Sequence, residues 1–166
     1  YHTKSKDLVH WENVGMGIEP SNEFDSHGAY SGSGIEHDGK LYFMYTGNTR
    51  DEDWNRHPYQ CLAVMSRDGS IVKMDAPVIA EVPSGYTDHF RDPKVWKNGD
   101  LFYAVIGAQR ENETGSVVLY QSKDLTDWQF MGELRTGLGE EFGYMWECPD
   151  YFELDRNGVF LFSHKG

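Results

Sequence analysis

Asp38-Gly39-Lys40-Leu41-Tyr42-Phe43-Met44-Tyr45 recurs twice in variant form, as Asn98-Gly99-Asp100-Leu101-Phe102-Tyr103-Ala104-Val105 and as Asn157-Gly158-Val159-Phe160-Leu161-Phe162. The three glycines stand 60 and then 59 residues apart. Asn-Gly and Asp-Gly tolerate the positive φ angles of tight hairpin turns, and here each dipeptide sits between apolar, aromatic-rich runs. A second marker keeps the same beat. Ser5-Lys6-Asp7-Leu8 with Trp11 and Gly15 returns 117 residues later as Ser122-Lys123-Asp124-Leu125 with Trp128 and Gly132, close to two periods. Ser66-Arg67-Asp68-Gly69 is a looser copy between them.

Each period offers about four strand-like runs, in the second Pro93–Lys97, Leu101–Ile106, Ser116–Gln121 and Trp128–Gly132. No apolar spacing of three and four is sustained, so helices are not expected. Four antiparallel strands per repeat describe a propeller blade; a solenoid is the rival, but its repeats are usually shorter. The expected class is all-β, a partial β-propeller of about two full four-stranded blades plus parts of their neighbours. The 166 residues fall short of a closed ring, which needs 4–8 blades. The chain, which opens on Tyr1, therefore reads as a fragment whose open blade edges invite self-association.

Composition narrows the function. Fifteen Lys+Arg against 27 Asp+Glu give a net charge of −12, which disfavours nucleic acid and anionic membrane surfaces. No run approaches the length of a membrane-spanning helix. Two cysteines, Cys61 and Cys148, make no disulfide framework and point to a reducing, cytoplasmic setting. The histidines lack ligand spacing and Asp51-Glu52-Asp53 lacks a calcium-loop pattern, so no metal or other cofactor is expected.

In a propeller the innermost strands converge on a central channel, so the segment before each Gly-marked hairpin is where chemistry would sit. Three clusters occupy it: Tyr30-Ser31-Gly32-Ser33, Phe90-Arg91-Asp92-Pro93 and Trp146-Glu147-Cys148-Pro149-Asp150. Asp92 and Glu147, 55 residues apart, would take similar stations on neighbouring blades, with the prolines at strand starts. Two converging carboxylates in unlike surroundings suit acid–base chemistry on a sugar. Glu147, flanked by Met145, Trp146, Cys148 and Pro149, is expected to have its pKa raised by burial, as a proton donor requires. Neighbouring strand residues point to opposite faces, so Arg91 and Asp92 are not expected to pair with each other. Arg-Asp-Pro alone is also a common turn, and Glu147 could be a rim carboxylate. Trp11 and Trp128 read as blade-packing residues.

With Tyr45-Thr46-Gly47-Asn48 and the Ser5–Trp11 segment, these clusters resemble glycoside hydrolase family 32, the β-fructofuranosidases, and most closely its bacterial branch. The resemblance spans Tyr1 to Gly166. It implies a five-bladed propeller followed by a β-sandwich, and retaining hydrolysis of terminal β-D-fructofuranosides such as sucrose or its 6-phosphate. It implies Glu147 as general acid/base, Asp92 as transition-state stabiliser bonded with Arg91 to fructose hydroxyls, and Tyr30 and Ser31 as contacts to the fructosyl unit, with Tyr30 where the family more usually has Phe. The family's nucleophilic Asp belongs to an Asn-Asp-Pro-Asn-type motif that these residues do not contain. The resemblance thus makes residues 1–166 a piece of a catalytic propeller, with the start of the first blade, the later blades and the sandwich outside it, inactive alone. A sugar-binding propeller without catalysis, or a related five-bladed arabinosyl or xylosyl hydrolase, are the alternatives.

Overall fold

The computed structural model describes residues 1–138 and 142–166. Twelve strands form four antiparallel sheets among the described residues. β1 (His2–Ser5) pairs with β2 (Trp11–Gly15). β3 (Ala29–His37), β4 (Lys40–Arg50), β5 (Arg56–Met65) and β6 (Ile71–Lys73) follow one another across a four-stranded sheet. β7 (Tyr86–Asn98), β8 (Leu101–Arg110), β9 (Gly115–Ser122) and β10 (Trp128–Glu133) make a second. β11 (Met145–Leu154) pairs with β12 (Asn157–Lys165). Two whole blades, flanked by a pair of strands on either side, are the expected propeller pattern.

The hairpin turns correct the sequence reading in detail. Asp38-Gly39 does close β3–β4, with both residues at positive φ, 51° and 72°. In the next blade Asn98 still pairs with Leu101, so the loop is Gly99-Asp100. In the third hairpin Leu154 pairs with Asn157, and Asp155-Arg156 turn at φ 49° and 67°. The register there is set by the apolar alternation of the strands, which puts Asn157-Gly158 inside β12 and leaves the turn to two non-glycine residues.

The Ser-Lys-Asp-Leu copies have a structural meaning. They are the same loop, joining β1 to β2 and β9 to β10, the third and fourth strand positions of a blade. In each, a serine hydroxyl and an aspartate oxygen take the loop's amides: Leu8 N to Ser5 Oγ at 2.9 Å and His10 N to Asp7 Oδ1 at 2.8 Å, Leu125 N to Ser122 Oγ at 3.0 Å and Asp127 N to Asp124 Oδ1 at 2.9 Å. Both leucines sit at positive φ. Both tryptophans donate back, Trp11 to Leu8 O and Trp128 to Leu125 O. Packing differs: Trp128 lies against the core, whereas Trp11 is 57% exposed, so the blade-packing reading holds for one copy only. No further strand covers β1–β2 among the described residues.

β8 shows why the strands read as near-continuous apolar runs. Its Phe102, Ala104, Ile106 and Ala108 face one core, shared with Met44, Leu62 and Phe90. Val105, on the opposite side of the pleat, faces another with Val117 and Trp146, whose ring stacks on Phe162 at 4.2 Å. A blade wedged between two others buries both faces, which abolishes polar alternation. The blades approach so closely that Gly107 of β8 has the carbonyl of Trp146 where a Cβ would stand. Gly107→Ala is expected to force β11 away and cost about 1–3 kcal/mol, read as a loss in urea denaturation; an unchanged midpoint would mean that this contact carries no packing.

Candidate active site

Pro93 and Pro149 lie inside strands, not at their starts as expected, and they do so at bulges. Tyr30-Ser31, Asp92-Pro93 and Cys148-Pro149 are each two residues facing one on the neighbouring strand, at the same rung of three successive first strands. A bulge frees a residue from the ladder, so a proline without N–H costs nothing there. It also re-aims the side chain before it. Asp92 sits at φ 65° and Cys148 at φ 47°, a region that costs an L-residue roughly 1–2 kcal/mol unless its surroundings fix it.

Those surroundings are hydrogen bonds between blades. Thr46 Oγ1 accepts from Asp92 N at 2.9 Å and donates to Gln60 Oε1 at 2.8 Å; Gln60 Nε2 reaches Phe90 O at 3.3 Å. Ser33 Oγ donates to Pro93 O at 2.9 Å and accepts from Val95 N at 2.8 Å. The blade of β3–β6 thus holds the second blade's bulge from behind. From the other side, Cys148 N donates to Asp92 Oδ2 at 2.9 Å, and its thiol lies 3.6 Å from the same oxygen.

The repeat alignment moves by one residue from the sequence reading. The bulges place Arg91 and Glu147 at equivalent positions, and Asp92 with Cys148. Both acids still reach one hollow of about 550 Å³, lined by Tyr30, Ser31, Arg56, Arg91, Asp92, Glu147, Cys148 and Lys165. All five candidates named from sequence therefore meet. Arg91 does not pair with Asp92; its Nη2 and Nε donate to Glu147 Oε1 at 2.7 and 3.2 Å, and Lys165 Nζ stands 3.3 Å from the same oxygen. One step along, Lys94 and Asp150 form a second ion pair between equivalent positions, at 2.8 Å.

Glu147 overturns the expected direction of its pKa. Burial is the largest influence and pushes the carboxyl up, but the hydrogen bonds and charge of Arg91, then of Lys165, together outweigh it. The net effect lies below the ordinary value, so without sugar Glu147 is held ionised.

Sequence reasoning missed Arg56, Lys165 and His89. They sit in no repeat motif; only the paths of β5 and β12 bring Arg56 and Lys165 to the hollow, and β7 sets His89 against Arg91. His89 Nδ1 faces Arg91 Nη1 at 3.1 Å, which makes the ring nitrogen the acceptor. Burial, then the charges of Arg91 and Arg56, lower the His89 pKa from its ordinary 6.5.

The N-terminal domain description of glycosyl hydrolases family 32 matches residues 1–166, and the chain belongs to that family. It is 50% identical over its whole length to a sucrose-6-phosphate hydrolase of Staphylococcus xylosus, of which it covers 33%. Among solved structures it is similar to a sucrose-6-phosphate hydrolase of Lactobacillus gasseri, with 44% identity, a TM-score of 0.91 and coverage of 97% of this chain and 33% of that one. A Bombyx mori family 32 β-fructofuranosidase, solved as a mutant with sucrose, gives 38% identity, a TM-score of 0.82 and coverage of 99% and 34%. The chain spans about a third of the length of these relatives.

A His89 held neutral takes up a proton on unfolding, so its contribution to stability is present above pH 6.5 and is lost as pH falls from there toward the lower folded value. His89→Gln keeps an acceptor for Arg91 and removes the titration. Stability measured against pH is expected to fall less steeply below 6.5 in this variant than in wild type; identical slopes would take His89 out of the acid response.

Proposed function

We propose that this chain supplies the acid/base and the stabilising carboxylate of a retaining β-fructofuranosidase, working on sucrose or its 6-phosphate within a longer protein. The observation that carries the reading is that Asp92 and Glu147, from successive blades, line one hollow and are each fixed by a group of the other blade. Sequence similarity to sucrose-6-phosphate hydrolases along the whole chain supports the substrate class.

In this reading a nucleophilic carboxylate from outside these residues attacks the anomeric carbon of the fructosyl unit while Glu147 protonates the departing oxygen. Glu147 then draws a proton from water, which releases fructose. Asp92, 6% exposed, accepts from sugar hydroxyls and binds them more tightly as the ring gains oxocarbenium character. Tyr30 and Ser31 border the sugar from the first whole blade. The ionised state of Glu147 is the one its base half-reaction needs. For the acid half, the sugar must engage Arg91, loosen its grip on Oε1 and let the carboxyl take up a proton. Two unpaired thiols, Cys61 and Cys148, suit a reducing, cytoplasmic setting.

The test is fructose release by the protein carrying this chain, with Glu147→Ala compared across fructosides of graded leaving group. As general acid, Glu147 matters most for poor leaving groups; equal loss across the series removes it from that role. Lys165→Met takes away a cation that favours the Glu147 carboxylate, so the alkaline limb of kcat/KM is expected to move to higher pH. An unmoved limb would detach it from Glu147.

A further inference from the structure

Five charged side chains line the hollow, three of them cationic. Arg91 and Lys165 are committed to Glu147, and Asp92 accepts from Cys148 N. Arg56 is left over. Half-buried at the first position of β5, it makes no hydrogen bond or ion pair among the described residues. Its cross-strand partner Arg50 is occupied, donating to Trp54 O at 2.8 Å with its guanidinium over the Trp54 ring. Arg56 is therefore a guanidinium whose five donors no described residue takes, facing a cavity that already holds the positive charge of Arg91. Burial, then Arg91, disfavour its cation and push its pKa down; Tyr30 pulls the other way, and Arg50 and Asp88 follow with smaller, opposed effects. An anion entering the hollow relieves that repulsion.

We infer that Arg56 is the specificity-determining contact for a phosphate monoester carried on the leaving sugar of the substrate. The assignment rests on the β-fructofuranosidase reading and deepens it. Arg56 lines the same hollow as Glu147, which on that reading protonates the oxygen of the leaving sugar, whereas Asp92, which takes the fructosyl hydroxyls, is more deeply buried than either. A planar fork of donors suits phosphate oxygens bidentately, whereas a neutral sugar hydroxyl uses only one of them.

The experiment compares wild type, Arg56→Gln and Arg56→Lys in the protein carrying this chain, on sucrose and sucrose 6-phosphate. Equilibrium binding of glucose 6-phosphate against glucose runs beside it. Losing a charge-assisted contact in Arg56→Gln is expected to lower kcat/KM for the phosphorylated substrate roughly 10- to 100-fold. Sucrose turnover is expected to stay within about threefold, and Arg56→Lys, which keeps the charge without the fork, to fall between. An unchanged ratio between the two substrates would overturn the assignment of Arg56 while leaving the enzyme a β-fructofuranosidase. Should wild type cleave neither, that reading fails, and Arg56 is judged on binding alone. Preference for glucose 6-phosphate that disappears in Arg56→Gln sustains it; equal binding to both proteins sinks it.

Discussion

The amide of Cys148 donates to Asp92 Oδ2, and the geometry of the hollow depends on that bond. It joins two residues that occupy the same bulge position in successive blades, both at left-handed φ that neither would keep alone. Each bulge supplies what the other lacks: Cys148 offers an amide released from its own ladder, and Asp92 offers an acceptor turned out of its strand. Because the bond fixes Cys148, it also fixes the residue before it. Glu147 then meets Arg91, the residue before Asp92, as a direct consequence of the repeat.

The backing of this pair is apolar and close. Trp146, 2% exposed, precedes Glu147 and packs between Val117 and the Phe162 ring, with its indole N–H on Phe142 O at 2.9 Å. Gly107 admits the Trp146 carbonyl where a side chain on β8 would push the blades apart. The two carboxylates at the mouth are therefore positioned by ordinary core packing one residue deeper. Preorganisation of this kind holds Asp92 and Glu147 at a set separation.

The repeat was legible because each blade must solve the same problem: a tight turn, two buried faces and a bulge. The Ser-Lys-Asp-Leu copies were found from letters alone, and they are one loop with one set of side chain to backbone bonds. What the letters hid were relations across the repeat. Proline marked a bulge and was read as a strand start, since both positions lack a required N–H. Asn157-Gly158 has the composition of a turn, yet the pairing of β11 with β12 puts the turn on Asp155-Arg156. The raised pKa expected for Glu147 followed from its apolar sequence neighbours. Its spatial neighbours, Arg91 and Lys165, lie on other strands and reverse the direction. Asp25, fully buried and bonded to Tyr45 and Lys73, gave no sequence signal at all.

Charge makes the same point on a larger scale. A net charge of −12 spread over the chain argues against polyanionic partners such as nucleic acid, whose backbone samples a broad surface. It says nothing about a single anion in a hollow of about 550 Å³, where the few nearest groups decide the potential. There Arg56, Arg91 and Lys165 outnumber Asp92 and Glu147, and the acids are already paired within the protein. On the proposed reading, an acidic exterior with a locally cationic pocket repels large anions and still accepts a small one. Selection between a neutral sugar and its phosphate ester can then rest on one guanidinium, without basic residues elsewhere on the surface.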